Sequence, residues 1–138
     1  MAQPDQKPPP PLLIVDGFNV LHAGVLLGRD RAGWWQVPAQ RRLVERVQRF
    51  ADPSYPEIWV VFDRRLGQGH KQGAVISDDP RIHVVYAPSA DDWIVEQAGA
   101  LSNQRLITVV TADRLLRDRT RRAGGEILSP RRFLAACG

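Results

Sequence analysis

The stretch Leu12-Leu13-Ile14-Val15-Asp16-Gly17-Phe18-Asn19-Val20 decides the fold. Four apolar residues in a row end abruptly at a carboxylate and a glycine. A strand covered on one face alternates apolar with polar residues, whereas a strand covered on both faces is apolar throughout. The second pattern is that of a parallel sheet packed between helices. Similar short runs return at residues 58–62, 82–86 and 106–110, and more weakly at 126–128. Between them the period changes from continuous to helical. Residues 37–50 put Leu43, Val47 and Phe50 on one side and Arg41, Arg42, Glu45, Arg46 and Arg49 largely on the others. Residues 91–101 and 112–123 repeat this pattern, with Ser89 placed to cap the first and Gly124-Gly125 to stop the second. Strands alternating with amphipathic helices predict an α/β domain with a parallel sheet.

The chain has 138 residues, enough for one compact domain. Its apolar fraction of 43% and charged fraction of 25% are those of a globular protein that buries a core. Residues 1–10 are polar and proline-rich and read as a disordered tail, leaving 11–138 as the folded unit. No apolar run approaches the roughly 20 residues of a membrane-spanning helix, and the first residues do not resemble an export signal. Cys137 is the only cysteine, so no internal disulfide and no thiolate zinc cluster can form, and a reducing cytoplasm is the expected setting. The net charge of +4 rests on arginine, because Lys7 and Lys71 are the only lysines. Such an excess suits polyanions, nucleic acid first among them, although it also serves simple solubility.

Asp16 and Asp63 each close an apolar strand, and Asp91 and Asp113 each open the helix after one. In a parallel sheet all four therefore fall at carboxyl ends of strands, the edge where open α/β folds hold their ligands. Two such charges 4 Å apart repel by about 4 kcal/mol at an effective dielectric near 20, so a cluster of them calls for protons or a cation. With no cysteine or paired histidine nearby, an all-oxygen set suits Mg²⁺ or Mn²⁺. That chemistry fits metal-assisted phosphodiester hydrolysis without a covalent nucleophile. Asp91 and Asp113 also have an ordinary explanation, since carboxylates in first turns favour the helix dipole.

The segments Leu-Leu-Ile-Val-Asp16-Gly17-Phe18-Asn19-Val, Val-Val-Phe-Asp63, Ala90-Asp91-Asp92-Trp93-Ile94 and Val-Val-Thr111-Ala112-Asp113 together resemble the YacP type of NYN domain, a PIN-like ribonuclease family. The resemblance implies a single domain with strand order 3-2-1-4-5, one or two divalent metals, and single-stranded RNA as the substrate of an endoribonuclease. It casts Asp16, Asp63, Asp91 and Asp113 as the acidic residues of the site, Asn19 as the asparagine beside the first aspartate and Thr111 as a site-lining hydroxyl. For bacterial members it also implies RNA decay or processing, some of it near the ribosome. This chain departs from the family in three places. Phe18 stands where tyrosine is frequent, Val95 where a glutamate often follows, with Glu96 one place later, and Arg64 and Arg65 where smaller residues are usual. Those two arginines either bring phosphate-binding charge to the metal or pair with the aspartates and block them.

Arg64, Arg65, His70 and Lys71 lie in the long segment after the second strand, and Arg114, Arg117 and Arg121 form a stripe on the last long helix. These are candidate contacts to the RNA backbone, or solvated charge. Trp34 and Trp35 can stack on unpaired bases or cover a helix end. Against the nuclease stands an RNA-binding adaptor of the same fold without turnover. An aspartyl-phosphate phosphatase is disfavoured because Phe18 occupies the place of its second aspartate, and a receiver domain because no lysine follows a late strand.

Overall fold

The computed structural model describes residues 9–26, 28–64 and 74–138, with backbone alone for Arg29 and Asp30. Five parallel strands, β1 (Leu12–Asp16), β2 (Glu57–Asp63), β3 (Ile82–Ala87), β4 (Ile107–Val110) and β5 (Glu126–Leu128), form one sheet in the order β3-β2-β1-β4-β5. The expected order is therefore the observed one. Around it lie α1 (Gly17–Val20), which continues into a π-helical turn (Leu21–Val25), a 3₁₀ turn (Gly28–Gly33), α2 (Val37–Val47), α3 (Ala90–Leu101), α4 (Arg114–Arg122) and α5 (Pro130–Ala136). Among the described residues no helix is long and apolar enough to cross a membrane.

β1 is the hub. It pairs with β2 from Leu12 opposite Glu57 to Asp16 opposite Val61, and with β4 from Leu12 opposite Ile107 to Val15 opposite Val110. All five of its residues are buried, and the pleat sends alternate side chains into two separate cores. Leu13 and Val15 join Leu43, Val47, Ile58, Phe62 and Phe133 under α1, α2 and α5, while Leu12 and Ile14 join Val61, Ile94, Val109 and Leu116 under α3 and α4. This two-sided burial is the reason the strand reads as an unbroken apolar run.

Helices α3, α4 and α5 begin where side chains satisfy their first N–H groups. Ser89 Oγ accepts from Asp92 N, Asp113 Oδ1 from Leu116 N and Ser129 Oγ from Arg132 N. Gly124 ends α4 at φ +101°, in the left-handed region. The sequence-based bounds of α4 were wider than this, because Asp113 is the cap rather than a residue of the first turn. Helix α2 stops at Val47, and Phe50 reaches the core from the turn that follows. Leu106 lies outside β4 and is 42% exposed. Of the tail expected over residues 1–10, residues 1–8 lie outside the described residues, and the Pro10 carbonyl accepts from Arg105 Nε at 2.7 Å.

Gly17 is fixed by packing. A Cβ there would stand 2.6 Å from ring carbons of Phe62 and 2.8 Å from the Val61 carbonyl oxygen. The chain can turn from β1 into α1 against β2 only without a side chain. Gly17→Ala is expected to destabilise the fold by about 1–3 kcal/mol through this overpacking, read as a lower midpoint in denaturant unfolding. An unchanged midpoint would mean that β2 yields freely at this point.

Candidate active site

At the carboxyl edge of the sheet a cleft of about 280 Å³ is lined by Asp16, Asn19, Asp63, Asp91 and Asp113, with Phe18, His22, Trp34 and Ala90 completing its wall. Four separate segments thus bring the four expected aspartates to one opening. Asp16 and Asp63 end β1 and β2 and are each only 7% exposed, while Asp91 and Asp113, at the starts of α3 and α4, are half-buried.

A short hydrogen-bonded chain fixes the floor. Thr111 Oγ1 donates to Asp16 Oδ2 at 2.8 Å and accepts from Asp113 N at 3.1 Å. Asn19 Oδ1 accepts from Ala112 N at 2.8 Å, which ties α1 to the turn after β4. Ala90 N donates to Asp63 Oδ2 at 3.3 Å. Thr111 is 2% exposed and hydrogen-bonds Asp16, and it is not among the residues that line the cleft.

Burial pushes the Asp16 carboxyl up from 3.8 to about 7; the Thr111 hydroxyl acts in the opposite sense, and Asp91, Asp113 and Asp63 add like-charge repulsion. Asp91 is raised too, by burial first and Asp113 second, against the pull of Arg119. Arg119 itself pairs with Asp92 at 2.9 Å. Among the described residues, the groups acting on Asp16 are three carboxylates and a hydroxyl. An oxygen-only set fits a hard divalent cation in its donor chemistry. Among the described residues, however, no three acidic, histidine or cysteine side chains stand in place as a ready coordination shell.

The expected basic residues are scattered. Arg64 is exposed, and its guanidinium donates to the Tyr86 carbonyl at 3.3 Å, so it does not block the aspartates. Arg114 is exposed beyond the cleft lining, and Arg117 and Arg121 belong to a different cavity. Arg65, His70 and Lys71 lie outside the described residues. Val95 packs against the core under α3, and Glu96 is exposed.

The aromatic wall was not foreseen as a unit. Trp34 meets Phe18 edge-on at 5.0 Å and His22 at 5.2 Å. Phe18 and His22 are four residues apart on one helical face, the only sequence signal that links any two of them. The turn carrying Trp34 is held by fully buried Gln40, whose Nε2 donates to the Trp35 carbonyl at 2.8 Å. Gln40 Oε1 accepts from the Tyr86 hydroxyl at 2.6 Å, and that hydroxyl accepts from Val75 N at 2.9 Å.

Because the folded-state pKa of Asp16 is raised, the folded chain holds a proton that the unfolded chain releases between pH 3.8 and about 7. Its contribution to stability therefore falls as pH rises through that window and is fully unfavourable above it, by at most about 4 kcal/mol. Asp16→Asn is expected to be more stable than the wild type by about 2 kcal/mol near pH 8, with the gap closing near pH 4, as read by denaturant melts at both values. A less stable variant at the higher pH would remove the claim that the native site carries this charge at a cost.

The sequence profile of the YacP-like NYN domain matches residues 13–137. Two solved structures resemble the fold: Rae1 (YacP) from Bacillus subtilis, at a TM-score of 0.72 and 24% identity over 91% of this chain and 72% of that one, and a point mutant of it, at 0.69 and 24% over 91% and 74%. No curated protein sequence matches. With its sheet order, its acidic strand ends and a profile match across nearly all of its length, the chain belongs to the YacP-like NYN domain family and has the PIN-like nuclease fold.

Proposed function

We propose that this protein is a metal-dependent endoribonuclease that hydrolyses phosphodiester bonds of single-stranded RNA in the cytoplasm, in RNA decay or processing and, as the family resemblance suggests, near the ribosome. The observation that carries the reading is the meeting of four carboxylates in one cleft, two of them, Asp16 and Asp63, buried.

Asp16, Asp63, Asp91 and Asp113 would hold Mg²⁺ or Mn²⁺. When bound, such an ion lowers the pKa of a coordinated water and offsets charge developing on the phosphoryl group. The protein's own groups do the rest. Thr111 engages one Asp16 oxygen through its hydrogen bond and so fixes the carboxylate that lines the cleft. Asn19 locks the turn that delivers Asp113. Phe18, His22 and Trp34 offer an aromatic wall of inclined rings beside the acidic floor, which favours a nucleotide whose base is unstacked and free to pack against one of them. Arg64, Arg114 and Arg117 supply positive charge outside the cleft for the flanking backbone.

The lack of a ready coordination shell among the described residues favours one competitor, an adaptor that binds RNA with little or no turnover. Cleavage of an unstructured RNA with and without Mg²⁺ or Mn²⁺, in the wild type, Asp16→Asn and Asp113→Asn, separates the two. Loss of a group that merely orients a metal ligand already costs about 10- to 100-fold, so either substitution is expected to lower the metal-dependent rate by about 100-fold or more. Binding without cleavage identifies the adaptor, and equal cleavage by all three proteins identifies a contaminant. Metal at about 100 times its Kd is also expected to stabilise the wild type by about 2.7 kcal/mol; a melting curve that ignores millimolar metal would count against an assembled site.

A further inference from the structure

The turn at residues 111–113 has a second side. It borders a groove of about 420 Å³ lined by Thr111, Ala112, Arg117, Arg121, Ser129 and Arg132 above apolar residues of β5. Two of the arginines are four residues apart on α4 and the third comes from α5, so two elements converge three positive charges on one concavity. No acidic residue lines it. Arg121 and Arg132 are exposed and form no ion pair among the described residues. Arg117 has a buried Nε with no hydrogen-bond partner, and its one ion pair, with exposed Asp118, is 3.6 Å long. Guanidinium groups left in this state fit an oxyanion, which accepts paired hydrogen bonds from their planar forks.

We propose that this groove is a backbone-phosphate subsite that holds the RNA strand beyond the acidic cleft. The inference rests on the nuclease reading for the identity of the strand. An acidic cleft repels the polyanion it acts upon, so attraction has to come from the ground beside it. The groove meets the cleft at the same turn, where Thr111 bonds Asp16 and Ala112 bonds Asn19. A strand seated on Arg117, Arg121 and Arg132 is thereby registered against the carboxylates through a rigid link of three residues. It engages phosphates and carries no base preference of its own, whereas the aromatic wall engages bases.

The test is binding of a labelled oligouridylate to the full chain without added divalent metal, over a range of salt concentrations. Arg121→Ala with Arg132→Ala is expected to weaken binding by about tenfold and to make the plot of log affinity against log salt shallower by about 1.4, two contacts at about 0.7 each. Arg41→Ala with Arg49→Ala removes the same charge from exposed positions that line no part of the groove, and is expected to leave the slope unchanged. Equal slopes for both double variants, or a slope in the groove variant equal to that of the wild type, would overturn the subsite. Substitution of both groove arginines by lysine is expected to keep the slope while lowering affinity, which a mere loss of fold would not do. A wild type that shows the groove-dependent slope yet never cleaves RNA would sink the nuclease reading and leave the subsite standing.

Discussion

The single hydrogen bond from Thr111 Oγ1 to Asp16 Oδ2 joins the central strand to its neighbour at the point where both meet the cleft. Asp16 is nine-tenths buried among other carboxylates, and among the described residues the hydroxyl is the one group near it that favours its ionised form. Burial and repulsion together outweigh that bond. The fold therefore carries an unfavourable charge at its centre, and the large apolar surfaces on both faces of β1 offset it. Strain of this kind belongs to sites whose geometry serves something other than stability.

The sheet order explains why the charge sits there. The chain runs from β1 outward through β2 to β3, then crosses back to lay β4 on the other side of β1. The connections therefore leave in opposite directions from the two sides of β1, which opens a crevice at its carboxyl end. Asp16 ends one wall of that crevice, and Thr111 and Asp113 begin the turn leaving the other. Asn19 then spans the gap to Ala112. Gly17 is part of the same constraint, because the exit from β1 passes too close to Phe62 for any side chain.

Most of this was legible in the sequence where a residue's role follows from its own run. Continuous apolar stretches named the five strands, Ser89 named the start of α3, and carboxylates after apolar runs named the acidic edge. Elements too short for a period escaped. Helix α1 and its π-helical extension occupy few residues and follow a strand without a break, and α5 was passed over although Ser129-Pro130 carries both a cap and a first-turn proline. Exposure of His83 in β3 shows that a run of β-branched residues need not be sealed on both faces at a sheet edge. Relations between distant segments were the hardest to see. Trp34 reaches the cleft through a turn held by Gln40, Tyr86 and Val75, three residues from three parts of the chain. Arg117 and Arg121 read as a stripe on one helix, but Arg132 joins them only because α5 packs nearby.

The placement of β4 has a consequence for a protein made from one end to the other. Until residues 107–110 emerge and pair with Leu12–Val15, the central strand has an open edge and the first aspartate lacks both its hydroxyl partner and its last acidic neighbour. A nascent or truncated chain that ends before β4 has three of the four carboxylates but neither the Thr111 bond nor the second pairing edge of β1, and the cleft is complete only when the late crossover closes.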